Sequence, residues 1–420
     1  MMKRDMIEMT QKQLHRWHVL KNVLEGEISL VQASELLGIS YRQTKRLKAK
    51  VAGEGPCGLL HGNRGRTPSN KLPEDLKNNL LDLATGELKG YNDTHCTETL
   101  EEEFAIRVSR ETVRRIRRDA EQKPKRRRRP PRHHSRRPRK LQEGAMLLWD
   151  GSHHRWLGDN LEPFCLMAAI DDACGLVVGA LFEEAETSLG YLRLLHQIVR
   201  KKGLPLSIYQ DRHGALKRND NNWTLEEQLQ GEQFPTQVGM ALDSLAIQPI
   251  FALSAQAKGR VERLFGTLQD RLCAELARAD IRDIHEANHF LKSFIPRFNR
   301  RFAIKADDPD KSWRKVPHPL NLKTEIAFRY SSTVLNDNTV RLGGLVIDIP
   351  PGPARRSYAK AEVEVRQLLD GTWRVYYHRK AIAQHKPTPL AEPVMARYRQ
   401  RSNVKAATNL TLVYQLPPAG

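Results

Sequence analysis

The sequence predicts a multidomain chain with an all-α N-terminal part, a central α/β domain and a small antiparallel β-barrel near the C-terminus. Three observations predict it. The length, 420 residues, exceeds what one hydrophobic core usually organises. Apolar residues recur with helical spacing as far as residue 122, where a proline-broken basic run over 123–140 gives way to short apolar strands and helices. Period-two alternation returns over residues 325–384.

Composition narrows the function classes. Lysine and arginine total 69 against 49 acidic residues, a net charge of +20, which points to a polyanion: nucleic acid or an anionic membrane surface. No apolar run approaches the roughly 20 residues that cross a bilayer. The polar residues 1–13 lack the apolar segment of a signal peptide, so a soluble cytoplasmic protein with no membrane partner is expected. Cys57, Cys96, Cys165, Cys174 and Cys273 are odd in number, scattered and without a C-x-x-C pair, which suggests neither a disulfide framework nor a structural zinc site.

Residues 1–60 form the first predicted domain. Leu14, Trp17, Leu20, Val23 and Leu24 give residues 11–25 a broad apolar helical face. Ser29 caps a second helix over 30–37, Gly38-Ile39-Ser40 makes a turn, and a basic third helix runs over 41–50. That is helix-turn-helix spacing, with Ala33, Leu36, Leu37, Ile39 and Leu47 inside and Tyr41, Arg42, Gln43, Lys45 and Arg46 facing DNA. An amphipathic hairpin with a solvated basic face is the alternative. Residues 61–72 are an arm whose Arg64 and Arg66 suit either a minor groove or a plain linker.

A second helix-turn-helix-like domain is predicted over 73–122. Its last helix starts at Ser109 and Thr112 and carries Arg114, Arg115 and Arg118 as DNA contacts; a helical bundle with a solvated basic face competes with that reading. Residues 123–142 form a basic linker: the eleven lysines and arginines of 123–140, with no acid among them, predict disorder when free and salt-sensitive contact with phosphates.

The α/β domain, residues 143–320, opens with three strands over 145–149, 164–170 and 176–182. A helix (188–202), a strand (205–209), a helix (235–245), a strand (247–252) and a helix (257–276) come next. This order implies a mixed sheet covered by helices. WDGSHH (149–154), YQDRHG (209–214) and SAQAKGRVERLFGTLQDRL (254–272) resemble the three motif blocks of the DDE transposase and retroviral integrase superfamily. Within it the chain most resembles bacterial insertion-sequence transposases of the ISNCY type.

The resemblance implies an RNase H-like core with Asp150 on the first strand, Asp211 near the end of the fourth and Glu262 on a later helix as catalytic and metal-binding acids. It further implies two Mg²⁺ ions per site, with Mn²⁺ as substitute: Asp150 bridges both, Asp211 holds one and Glu262 the other. Carboxylates suit that task because hard divalent ions prefer oxygen and can clamp both oxygens of an in-line phosphodiester displacement. The implied activity is cleavage at the element's 3′ ends and strand transfer, with double-stranded DNA as partner and at least a dimer joining two ends. Fifty residues separate Asp211 from Glu262, more than compact integrases place there, so 216–234 reads as an insertion.

Helix spacing adds a separate argument for Glu262. Lys258, Gly259, Gly266 and Gln269 lie at i−4, i−3, i+4 and i+7, a small or polar face on which Lys258 and Arg260 would meet DNA. Asp171 and Asp172, by contrast, read as turn residues, and His153, His154 and His213 lack zinc-cluster spacing. Phe290, Phe294, Phe298 and Phe302 recur every fourth residue, as packed aromatics do. Residues 321–390 form the predicted barrel, with Asp370-Gly371 as a hairpin turn, and 391–420 a tail. Two other functions fit part of the pattern: a helix-turn-helix regulator without catalysis, and an RNase H-like nuclease that cleaves without joining.

Overall fold

The computed structural model describes residues 7–61, 63, 67–68, 71–124, 137–158, 161–218, 220, 222–252, 259–353 and 355–390. Arg64, Arg66, Lys258, residues 125–136 of the basic run and the 391–420 tail lie outside the described residues. The chain divides into two compact units, Met1–Asn79 and Leu80–Gly420.

In the first unit, α1 (Gln11–Glu25), α2 (Leu30–Leu37) and α3 (Tyr41–Glu54) start at Thr10, Ser29 and Ser40, each side chain accepting the N–H three residues on. Gly38, at φ +60°, provides the left-handed turn between α2 and α3. Val19, Val23 and Ala33 form one small core and Leu20, Val51 and Leu59 another; Leu37 packs on both and Leu47 on the second. Leu36, expected inside, is 61% exposed. It sits about 90° around α2 from the inward line through Ala33 and Leu37.

The second unit begins within α4 (Glu74–Thr85) and continues through α5 (Asp93–Glu102) and α6 (Arg110–Asp119). Residues 80–122 do not stand apart from the α/β domain, and ion pairs are the reason. Glu98 pairs with Arg271 at 2.5 Å and Arg301 at 2.8 Å, His95 Nε2 meets Glu275 at 3.1 Å, and Glu103 meets Arg278 at 2.7 Å.

The central sheet holds β1 (Leu147–His154), β2 (Phe164–Asp171), β3 (Val177–Glu183), β4 (Ser207–Gln210) and β5 (Gln248–Phe251) in the order β3-β2-β1-β4-β5. β1 pairs antiparallel with β2, and β2 with β3; β4 lies parallel to β1 and β5 parallel to β4. Helix α7 (Ser188–Lys202) links β3 to β4, while α8 (Leu225–Gln230) and α9 (Gln237–Ser244) lie between β4 and β5. This is the mixed sheet that an RNase H-like core requires. Two apolar cores flank it: Leu147, Trp149 and Met167 pack with α7 and α9, and Leu148, Leu166 and Ala168 pack with α10 (Gly259–Arg278) and α11 (Ile284–Phe302). The four phenylalanines of α11 stack in sequence, with centroids 4.5 to 6.1 Å apart.

After α12 (Leu322–Glu325) come β6 (Ala327–Thr333), β7 (Thr339–Leu342), β8 (Leu345–Asp348), β9 (Glu362–Leu368), β10 (Trp373–Tyr377) and β11 (Lys380–His385). Among the described residues they form two ladders, β11-β10-β9-β6 and the β7-β8 hairpin, rather than one closed barrel. Gly371, at φ +85°, turns β9 into β10 as the Asp-Gly pair predicts.

The end of the basic run does not behave as a free linker. Asp172, with no side-chain exposure, binds the Arg137 guanidinium at 2.6 Å and the Lys140 N–H at 2.8 Å, and Arg139 donates to the Asp172 carbonyl at 2.9 Å. A buried carboxylate needs such partners, and this segment supplies part of them.

Candidate active site

Strand alternation decides which side chains share a face of the sheet. Leu147 and Trp149 enter the core beneath α7, and Met146 and Leu148 the core beneath α10. The period of two therefore puts Asp150 and Ser152 on the α10 side, and Gly151 and His153 on the α7 side. Contacts on both sides agree. Gln269 Nε2 of α10 donates to Ser152 Oγ at 3.1 Å, whereas a Cβ on Gly151 would lie 2.5 Å from Glu186 Oε2, in the loop leading to α7.

The parallel neighbour brings the second acid. Leu147 lies opposite Ile208 and Leu148 opposite Tyr209, so the register carried on by two residues sets Asp150 opposite Asp211. Trp149 Nε1 donates to Gln210 Oε1 at 2.9 Å in a buried bond that ties the residues just before the two acids. Asp211 Oδ1 accepts the His213 N–H at 2.8 Å, which fixes the carboxylate at the strand end. Both aspartates are half-buried.

Glu262 stands on α10, which covers that side of the sheet, but away from the stripe of Val261, Leu264, Phe265 and Leu268 that packs there, and the carboxylates of Asp150, Asp211 and Glu262 do not all lie within 4.8 Å of one another. Its own face is exposed. With Gly266 and Asp270 it lines an open groove of 1210 Å³ whose far wall carries Asn92, Arg110 and Arg114. Arg110, Arg114, Arg117 and Arg118 line one wall and Glu262, Asp270, Arg263 and Arg271 the other, so the groove is basic on balance, as suits a polyanion beside Glu262.

A further carboxylate lies close by that no motif indicated. Glu186 accepts the Tyr191 hydroxyl at 2.6 Å and lies 3.6 Å from His213 Nδ1. Burial, then the charges of Glu186, Asp150 and Asp211, hold the Tyr191 hydroxyl well above its ordinary value. Burial, followed by Glu186, pushes the Cys165 thiol up to about 12. Glu186 stands in an acidic loop with no spacing signal, and only the folded chain sets it against β1.

The basic residues expected to meet DNA divide into three groups. Tyr41, Arg42, Gln43, Lys45 and Arg46 are exposed along α3 of the first unit, and Arg114 and Arg115 are exposed on α6. Arg114 makes a surface pair with Glu111 at 3.3 Å, and two others are engaged by more buried partners. Arg118 pairs with Asp93 at 3.2 Å and donates to the Gln122 carbonyl at 2.6 Å. Arg260 binds Asp172 and the Arg137 carbonyl, because the buried Asp172 draws its countercharge from the α10 terminus and the basic segment beside it. Arg64, Arg66 and Lys258 lie outside the described residues. Among the described residues, no helix is long and apolar enough to cross a membrane.

No protein-family model matches the chain. It is 33% identical over 317 residues to y4bF of Sinorhizobium fredii, which carries a transposase name, with 76% of this chain and 67% of that protein covered. It is 32% identical over 419 residues to the transposase for insertion sequence IS1202 of Streptococcus pneumoniae, with 88% of this chain and 86% of that protein covered. The HTLV-2 integrase catalytic core domain, solved in complex with magnesium, matches at 20% identity and a TM-score of 0.26, over 36% of this chain and 84% of that one. A simian T-cell lymphotropic virus intasome, solved with the PP2A regulatory subunit B56 gamma, matches at 17% identity and a TM-score of 0.31, over 74% of this chain and 99% of that one. At TM-scores this low the fold rests on the strand order of the central sheet.

Proposed function

The chain belongs to the bacterial insertion-sequence transposases of the DDE superfamily, and on that premise we propose that it binds the terminal inverted repeats of its element and catalyses metal-dependent 3′-end cleavage and strand transfer into target DNA. The observation that supports this reading is the β1–β4 register, which carried on by two residues sets Asp150 opposite Asp211 on the face of the sheet that α10 covers.

The donor set fits Mg²⁺, or Mn²⁺ in its place: three carboxylates from separate elements, with oxygen as the ligand atom throughout. Asp150, Asp211 and Glu262 would hold two such ions, with Asp150 shared between them, once the α10 carboxylate closes on the aspartate pair. Bound there, the ions would offset charge on the scissile phosphate and orient the attacking and leaving oxygens. The chain's own residues supply the positioning. Trp149 and Gln210 hold the two strand ends in register, and the His213 N–H holds Asp211. Gly266 leaves the α10 face low enough for a DNA backbone to pass, with Arg110 and Arg114 opposite. The exposed row on α3 is suited to reading the repeat in the major groove. Two ends joined in one event require at least a dimer.

The test is direct. Purified protein with Mg²⁺ or Mn²⁺ and labelled element ends should nick at the terminus and join those ends to target DNA. Binding without either reaction would sink the proposal in favour of a regulator, and nicking without joining would favour a simple nuclease.

A further inference from the structure

The face of β1 turned away from the acid pair carries a second constellation. His153 and Cys165 are directly opposed across the β1–β2 ladder, and Glu186 enters from the loop before α7. One ligand atom from each lies within 4.8 Å of the other two. Cys165 is fully buried, Glu186 is 12% exposed and His153 is exposed, so the cluster has a closed floor and an open rim.

We propose that His153, Cys165 and Glu186 form a binding site for a borderline transition-metal ion, Zn²⁺ being the natural occupant, separate from the oxygen-only site on the other face. The ligand chemistry separates the two. A nitrogen, a sulfur and a carboxylate oxygen are a poor set for Mg²⁺, which takes hard oxygens, and a good one for Zn²⁺. Tetrahedral zinc with bonds of about 2.0 to 2.3 Å holds its ligands roughly 3.5 Å apart, so the cluster must contract by about an ångström. The exposed His153 ring is free to make that movement at the rim.

Two features support the arrangement. Tyr191 donates to Glu186 Oε1 at 2.6 Å and orients the carboxylate, as outer partners of metal ligands do, leaving Oε2 toward Gly151 and Cys165. Any side chain at 151 would occupy the space the carboxylate fills, since its Cβ would fall 2.5 Å from Oε2 and 3.0 Å from the Cys165 sulfur. Coordination exchanges the Cys165 S–H proton for the metal, and that proton passes to solvent. Occupancy would tie β1, β2 and the Glu186 loop together.

Cobalt(II) reports such a site without reference to catalysis. Metal-free full-length protein titrated with Co²⁺ should develop a cobalt–thiolate charge-transfer band at one equivalent, and excess Mg²⁺ should not displace it. Zn²⁺ should displace it and raise Tm. His153→Ala should weaken Co²⁺ binding at least tenfold and Cys165→Ala should abolish the band, while Asp150→Asn should leave it intact. Because His153 is exposed, its variant keeps the test sound if Cys165→Ala folds poorly. Absence of the band in the unaltered protein, or an undiminished band in His153→Ala, overturns the proposal. Strand transfer is a separate readout, so failure here leaves the transposase reading standing.

Discussion

Two pairs of aspartates sit on the same sheet, and they have been put to opposite uses. Asp171 and Asp172, where β2 ends, are 1% and 0% exposed, and the protein itself supplies their donors. Asp171 accepts the N–H groups of Gly144, Ala173 and Cys174, and Asp172 is met by Arg137, Arg260 and the Lys140 N–H. Asp150 and Asp211 are half-buried and adjacent on neighbouring strands, on a face where like charges repel. A buried carboxylate saturated by internal donors holds a turn, whereas two partly exposed ones side by side are suited to an external cation. Residue type does not separate these cases; depth of burial does.

The largest effect should come from exchanging charge for amide at the open pair. Asp150→Asn or Asp211→Asn should lower strand transfer by roughly three orders of magnitude or more, as loss of a member of a catalytic set does. Tm should hold or rise, because like-charge repulsion is relieved. Glu262→Gln should match them in activity and leave end binding nearly intact. A variant with normal joining would remove that acid from the site. The closed pair should invert the pattern. Asp172→Ala leaves Arg260 and Arg137 without their carboxylate and should cost roughly 3 kcal/mol in denaturant unfolding, near the lower end for a broken buried pair because Arg137 is partly solvated. The folded fraction should still join DNA at a normal rate; a catalytic collapse without loss of stability would erase the distinction between the pairs.

Much of this contrast was legible in the sequence. Asp171-Asp172 before Gly175, between two apolar strands, carries turn chemistry, whereas Asp150 and Asp211 each follow an apolar run within a motif block. The bounds of α1 and α2 came from caps and spacing alone. What escaped were contacts that chain order does not encode. Arg260 lies two residues before Glu262 and shares its basic neighbourhood, yet a buried acid 88 residues earlier claims it. Leu36 belongs to the apolar pattern of α2 but misses its seam, because an eight-residue helix offers only one narrow contact line. Glu186 became visible only when β1 and α7 were brought together.

Acids that the protein satisfies internally should also leave a pH signature. Glu275 is pushed up by burial, but its bonds to His95 and Arg297 outweigh that and hold it below the ordinary value of 4.5. A depressed carboxylate contributes stability that is present above 4.5 and lost as pH falls through the folded value. Glu275→Gln should therefore cost about 1–3 kcal/mol at neutral pH. The difference from the unaltered protein should shrink in acid, and a cost independent of pH would show that the ion pairs joining α5 to α10 and α11 contribute through packing alone.

The smallest effect concerns the cations, where α6 repeats the contrast in miniature. Arg117 is buried, paired with Asp93 at 3.1 Å and bonded to the Tyr91 carbonyl at 2.9 Å, so it is already satisfied within the fold. Arg114, three residues earlier, is exposed on the groove wall facing the α10 acids. Arg114→Ala should leave Tm unchanged, weaken end binding severalfold and lower the slope of log K against log salt by about 1, the signature of one lost phosphate contact. Arg117→Ala should lower Tm and, at equal folded concentration, leave that slope alone. If instead Arg114→Ala leaves the salt slope unchanged, the path of the DNA does not pass between α6 and Glu262, and the groove is a feature of packing.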